Sequence, residues 1–254
     1  MKITELTAAM SGSFTHPSHQ NYIAQLSIDC VIFGYQDATL KVLIPKLNFK
    51  GDFYSLPSGF IRQEEDLDQA ALRILEERTQ LANIYLQQFH VFGNADRHNE
   101  RFMLDLLAQN PQLTGPQEEY DWYVRRFVSV GYYALVDINK VKPQCSELDE
   151  KMEWIPVQEL PKLILDGAEI IAKALKAMRL HFDDHVVGYN LLPETFTMKE
   201  LQQLYETVFD KPYRRNNFQK MILDLNIVDR LEKQFTGAAN KAPYLYTFKP
   251  TSNK

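Results

Sequence analysis

Between Gly59 and Leu81 the chain concentrates charged side chains at spacings that bear on phosphate or metal chemistry. Gly59 is followed by Gln63-Glu64-Glu65, and then by Arg73, Glu76, Glu77 and Arg78. Carboxylates gathered on one helix face offer hard oxygen ligands to Mg²⁺, which offsets phosphate charge and activates water. A guanidinium does the reverse: it repels a metal ion and holds a carboxylate or another anion. Glu76 and Glu77 stand about 100° apart around a helix, so one does not substitute for the other without distortion. A helix rich in glutamate and arginine is also the ordinary composition of a solvated face, and its surroundings must decide its meaning.

A second concentration lies near the C-terminus. Lys211, Arg214, Arg215 and Lys220 occur with no acid between them, interleaved with Asn216, Asn217 and Gln219. Arginine, asparagine and glutamine at the start of a helix can read base edges in a major groove, while lysines and arginines hold phosphates. Arg230, Lys233 and Lys241 follow on a segment that alternates like a two-stranded ribbon. Helix, turn, basic helix and ribbon make a winged helix–turn–helix layout. An interaction or dimerisation domain with a solvated basic face is the competing reading.

The elements that must position these residues follow from periodicity. Residues 1–23 form a mixed polar arm. Leu26–Tyr35 and Leu40–Leu47 read as hairpin strands, and Gly51–Phe60 as a loop with Pro57 and Gly59. Asp66–Thr79 is a helix with Leu67, Ala70, Ala71, Ile74 and Leu75 on one face. Leu86–Gly93 is a strand. Residues 97–126 form a long excursion holding a short helix at Arg101–Gln109, and such a length suggests a lid or a mobile segment. Phe127–Ile138 and Met152–Val157 are strands, Glu159-Leu160-Pro161 turns into a helix, and Ala168–His181 is a further helical run. The pattern changes near 188–193. Thr197 and Glu200 make a capping box for the next helix. Arg214–Leu225 is the basic helix, and Ile227–Phe235 with Tyr244–Phe248 form the ribbon.

Bulk properties bound the function. The chain has 254 residues, 45% hydrophobic and 24% charged, an ordinary globular composition for one large domain or two small ones. Its net charge of −5 argues against coating nucleic acid throughout. From Asn190 onward, however, 10 Lys and Arg stand against 7 Asp and Glu, so a basic piece follows an acidic body. Two cysteines, Cys30 in an apolar run and Cys145 in a polar one, make no disulfide framework or metal cluster. A reducing, cytoplasmic setting is expected, with no signal peptide and no membrane-spanning run.

The first constellation resembles the Nudix box. Gly59, Glu65 six residues on and Arg73 eight further match its spacing; Pro57-Ser58-Gly59-Phe60 precedes it, and Trp154-Ile155-Pro156-Val157 with Glu159-Leu160-Pro161 follows. The resemblance covers roughly residues 24–182 and implies an α/β Nudix fold, a mixed sheet with flanking helices. In that family the residue after the arginine and an adjacent Glu-Glu pair bind the metal. Here those positions hold Ile74, Glu77 and Arg78, and the closing glycine is Gln80. Two of three carboxylates are missing and one is replaced by a cation, which implies a degenerate, non-catalytic box in which Glu65 and Arg73 survive as scaffold.

A degenerate Nudix domain joined to a winged helix resembles the Nudix-related transcriptional regulators. Asn190-Leu191-Leu192-Pro193, Phe196-Thr197, Leu201 through Glu206, and Asn217-Phe218 with Lys220 carry that likeness, and the arabinose-responsive repressors of gut bacteria look most similar. The resemblance implies an arm (1–23), an effector-binding Nudix domain (24–186) and a DNA-binding winged helix (187–254). It implies a homodimer on a double-stranded DNA operator, released by ADP-ribose or a sugar through a shift in dimer geometry. Lys46, Asp96, Arg97, Arg126 and Tyr132, at strand ends, are expected to face the effector. Lys211, Arg214, Arg215, Asn216, Asn217, Gln219, Lys220, Arg230, Lys233 and Lys241 are expected on DNA. No metal or other cofactor is expected. Mg²⁺ would enter only under the alternative, a divergent hydrolase of ADP-ribose or a related diphosphate drawing ligands from Glu147 or Glu150. The 97–126 excursion departs from the family's short loop and leaves the effector open.

Overall fold

The computed structural model describes residues 21–82, 84–97, 100–110, 124–146, 148–182, 191–233 and 242–249. The N-terminal arm up to residue 20, the junction at 183–190 and Lys241 lie outside them. Three strands open the fold: β1 (Tyr22–Gln36), β2 (Thr39–Leu47) and β3 (Ser58–Arg62). Helix α1 (Leu67–Thr79), β4 (Leu86–Phe92), α2 (Glu100–Gln109), β5 (Val128–Val136), β6 (Asp149–Pro156) and α3 (Gly167–His181) follow. The second unit comprises β7 (Phe196–Thr197), α4 (Met198–Phe209), α5 (Arg215–Leu225), β8 (Val228–Lys233) and β9 (Tyr244–Phe248).

The main sheet runs β4-β5-β1-β2-β6, with β3 also on β1. Only β1 and β5 pair in parallel, so the sheet is mixed. Its two faces separate by the strand period of two. Ile28, Cys30, Ile32, Val130 and Tyr132 pack under Ala70, Ala71, Ile74 and Leu75 of α1. Val31, Phe33, Tyr133 and Leu135 pack on the other side against Ile170, Ile171, Ala174 and Met178 of α3, which recur at helical spacing.

That second core continues into the winged helix. Leu201, Leu204, Tyr205 and Val208 of α4, with Phe218 and Ile222 of α5, join the same cluster as Phe33 and Leu40. Phe182, just past α3, sets its ring edge-on to Tyr205 and Phe209 at 5.1 and 5.6 Å. Arg179 Nε donates to the Val208 carbonyl at 2.6 Å, and Thr207 Oγ1 to the Ala38 carbonyl in the β1–β2 turn at 3.1 Å. The α3 C-terminus and the tip of the β1–β2 hairpin therefore both grip α4.

Two local expectations change. The stretch read as a loop to Phe60 holds β3, recruited by pairing with Ser27–Asp29 and Tyr22. The helix expected after Glu159-Leu160-Pro161 does not form. Leu163 bridges Tyr54 instead, Ile164 N–H donates to the Tyr54 carbonyl at 2.8 Å, and Leu165 takes a left-handed φ of 52°. Long-range pairing here outcompetes local helical spacing. Among the described residues no helix is long and apolar enough to cross a membrane.

Candidate effector cleft and nucleic-acid face

A cleft opens between β3, α1 and the excursion after β4. Asp66 caps the start of α1 in a capping box with Gln69, which fixes where the helix begins. Arg73 then reaches back to Glu65, with Nε to Oε1 at 2.6 Å and Nη2 to Oε2 at 2.9 Å, and Nη2 also donates to the Phe60 carbonyl at 2.9 Å. This bidentate pair ties the loop to the helix. Arg73 holds the Glu65 carboxyl below its usual range. Gly59 is needed for close approach: a Cβ there would stand 2.8 Å from Ile74 Cδ1. Gln80 takes the left-handed conformation, φ 57°, at the position where the box has glycine.

At the box's metal positions the donor set does not fit Mg²⁺. Ile74 is buried and apolar. Glu77 is half exposed and leans on Arg73 at 3.4 Å. Arg78 is clamped to Asp149, whose Oδ2 also accepts from the Ser146 N–H and hydroxyl, both at 2.7 Å. Glu150, offered as an outside ligand, pairs with Lys46 at 3.0 Å, and Glu147 lies outside the described residues. Among the described residues no three His, Cys, Asp or Glu side chains gather as a metal ion needs.

The cleft wall is rich in aromatic rings, with Tyr22, Phe49, Phe60, Phe102 and Phe127 on it. Part of it comes from the excursion: α2 buries Met103 and Leu106 against Phe53, Phe127 and Leu148. Asn110 fastens the end of α2 to Lys50, accepting from its N–H at 2.8 Å and donating to its carbonyl at 2.9 Å. The described part of the excursion is thus a packed wall. A neighbouring pocket of about 590 Å³ shares Arg97 and Phe102 and is bordered by Asp52, Asp96, Asp105 and Asp166.

Of the residues expected to face an effector, Arg97 borders both spaces and Asp96 the second. Arg97 is held by the protein: Nε and Nη2 grip Asp166 at 2.7 and 3.1 Å, Nη2 reaches Asp29 at 3.2 Å, and Nη1 the Phe127 carbonyl at 3.0 Å. Lys46 is occupied by Glu150 and Asp52. Arg126 is exposed and is not part of either wall. Tyr132 is placed elsewhere altogether. It points to the α1 side of the sheet, is 1% exposed, and its hydroxyl donates to Asp68 Oδ1 at 2.7 Å. Strand alternation puts it on the face opposite Tyr133. Sequence reasoning missed Asp29, a lone charge inside the apolar run of β1. Ser129 donates to it at 2.5 Å, and burial raises its carboxyl above the usual range against the pull of Arg97.

The second candidate surface is the winged helix. Thr197 and Glu200 form the expected capping box on α4. Phe218 and Ile222 anchor α5, which turns Arg214, Arg215, Asn216, Asn217 and Lys220 outward, with Gln219 half-buried. Arg214 occupies the N-cap without a side-chain cap, and no acid sits in the first turn. Those N–H groups and the positive end of the helix dipole favour an anion. On the wing, β8 and β9 pair and Tyr244 lies beneath Arg230 at 4.5 Å and Lys233 at 5.2 Å. Lys211 is exposed beside Phe209 and Tyr213.

A mixed sheet whose glycine-to-arginine loop and helix border a cleft, followed by a helix pair and a wing, defines a Nudix-fold domain carrying a winged helix. The NUDIX domain family matches residues 24–178, and the NrtR DNA-binding winged helix domain family matches residues 188–248. The chain belongs to the Nudix-related transcriptional regulators. It is 24% identical over 255 residues to the ADPR responsive transcriptional repressor NtrR of Acinetobacter baylyi, covering 94% of this chain and 92% of that one. The crystal structure of Shewanella oneidensis NrtR superposes with a TM-score of 0.65 at 26% identity, over 89% of this chain and 94% of that one. The same protein complexed with a 27mer DNA gives a TM-score of 0.62 at 26% identity, with the same shares covered.

Proposed function

We propose that this protein is a transcriptional repressor whose Nudix domain has given up hydrolysis and serves as the sensor of a nucleotide sugar of the ADP-ribose kind. The observation that carries the reading is the pairing of two features in one chain. The metal positions of the box hold Ile74 and Arg78, and a basic helix with a free N-terminal turn sits on a winged helix. The Acinetobacter relative is named as ADPR responsive, which favours a nucleotide sugar over a free sugar as effector. As a homodimer, two copies of α5 would meet half-sites about one DNA turn apart.

The cleft has two physical routes to the DNA face. Asp166, at the N-cap of α3, grips Arg97 at the cleft, and the far end of that 15-residue helix holds α4 through Arg179. β1 carries Asp29 beside the cleft and leads to the turn that Thr207 contacts. An effector that reorders Arg97, Asp29 and Asp166 would therefore bias how the winged helix is seated.

Operator binding tests the DNA half. The full-length protein, titrated onto the DNA upstream of its own gene, should bind with a steep fall in affinity between about 50 and 200 mM salt. Arg215→Ala should weaken binding by about 1–3 kcal/mol if it reads a base, or lower the salt slope by about one if it holds a phosphate. Absence of any binding at low salt would end the repressor reading.

A further inference from the structure

We propose that Arg78 is the oxyanion-binding residue of the cleft, a fixed cation that receives a phosphate group of the effector without a metal ion. This rests on the effector reading above.

Three arginines border the cleft: Arg73, Arg78 and Arg97. A guanidinium has five N–H donors and no way to lose its charge. Arg73 commits Nε, Nη1 and Nη2 to Glu65, Glu77 and the Phe60 carbonyl. Arg97 commits Nε, Nη1 and Nη2 to Asp166, Asp29 and the Phe127 carbonyl. Each of these two has four of its five N–H groups taken by the protein. Arg78 commits Nη1 alone, to Asp149. Among the described residues nothing takes its Nε–H or its two Nη2–H groups, and its side chain is 14% exposed. These donors are open to water, and the space they border is the cleft, where an oxyanion can take the water's place.

The shape of the neighbourhood agrees. Asp149 is itself satisfied by the Ser146 N–H and hydroxyl, so it orients Arg78 without needing the whole fork. Nε–H and an Nη2–H form a parallel pair of donors that matches two oxygens of a phosphate. Ile74, one turn back on α1, puts a methyl group where a carboxylate would repel that phosphate. The residues at the metal positions thus put an arginine in the same place, with Asp149 as its counter-ion and Glu77 drawn to Arg73.

The test is calorimetric titration of the full-length protein in EDTA. The titrants are ADP-ribose, ribose 5-phosphate and unphosphorylated arabinose. Wild-type protein should bind a phosphorylated ligand with the same affinity in EDTA and in Mg²⁺. The tighter of ADP-ribose and ribose 5-phosphate identifies whether the group held belongs to a diphosphate linkage or a sugar phosphate. Arg78→Gln should weaken that binding at least 10-fold, and Arg78→Lys less. Because Arg78→Gln also strands Asp149, Asp149→Asn supplies the independent arm. Freed of its counter-charge, Arg78 should bind the phosphorylated ligand several-fold more tightly, a gain that a purely structural ion pair would not give. Mg²⁺-dependent binding, undiminished affinity in Arg78→Gln, weaker binding in Asp149→Asn, or binding of arabinose alone would each overturn the proposal. Wild-type binding to the upstream DNA, measured alongside, shows separately whether the repressor reading stands.

Discussion

Removing the Arg179 side chain tests how cleft and winged helix communicate. Its Nε donates to the Val208 carbonyl at 2.6 Å, in the last turn of α4, where α4 has no basic residue of its own. A hydrogen bond from a charged donor is worth about 1.5–3 kcal/mol net. The favourable contact of a cation with a helix C-terminus, about 0.3–1 kcal/mol, overlaps with it rather than adding in full. Arg179→Ala should therefore weaken the seating of the winged helix by about 2 kcal/mol, up to roughly 30-fold in population. Coupling between two ligands is typically about 1–3 kcal/mol, so this contact is large enough to carry most of it. Fluorescence anisotropy of labelled upstream DNA, with and without saturating ADP-ribose, reads the coupling directly. In the variant, ADP-ribose should still bind but should change DNA affinity far less than in wild type. A full wild-type response in Arg179→Ala would show that the signal does not pass through the end of α3.

Two further outcomes follow from the loop and helix around Gly59. Gly59→Ala brings a methyl group to 2.8 Å from buried Ile74 Cδ1 and 2.9 Å from its Cγ1, and should cost about 1–3 kcal/mol by overpacking, read by urea unfolding; the added cost should shrink in an Ile74→Ala background, which lacks both atoms. Arg73 lowers the Glu65 carboxyl below its ordinary 4.5, so the pair stabilises the fold above that value and stops doing so as pH falls through the lowered one. Thermal melts from about pH 6 to about pH 3 should therefore show a smaller loss of stability across that acidic window in Glu65→Gln than in wild type.

Much of this architecture could be read from residue order because local physics and tertiary physics agree. Ala70, Ala71, Ile74 and Leu75 recur at helical spacing, and all four are buried in α1. The Thr197–Glu200 capping box is a local signal and appears as read. The failures are those of long-range pairing. β3 exists because β1 is 15 residues long and offers an edge that the β1–β2 hairpin leaves uncovered. Leu163 is a bridge partner because Tyr54 is nearby in space, and nothing in the local sequence says so.

The candidate site was legible in frame but not in partners. Gly59, Glu65, Arg73, Ile74, Glu77 and Arg78 come together around one cleft wall as their spacing required. What holds Arg78 is Asp149, 71 residues away, and what holds Arg97 is Asp29 and Asp166, 68 and 69 away. Spacing rules carry no information at such separations. Tyr132 shows a different limit: an alternating strand names two faces but does not say which one meets the ligand. The charge buried in β1 at Asp29 was the usable signal, since an ionisable group in an apolar run requires a partner.

The most direct test of the central claim uses one tube: full-length protein bound to its upstream DNA in EDTA, with ADP-ribose added and both DNA and nucleotide followed. A sensor with a disabled box should release the DNA and leave ADP-ribose intact, whether or not Mg²⁺ is then supplied. Retention of the DNA at saturating ADP-ribose, or conversion of ADP-ribose to AMP and ribose 5-phosphate once Mg²⁺ is added, would contradict it.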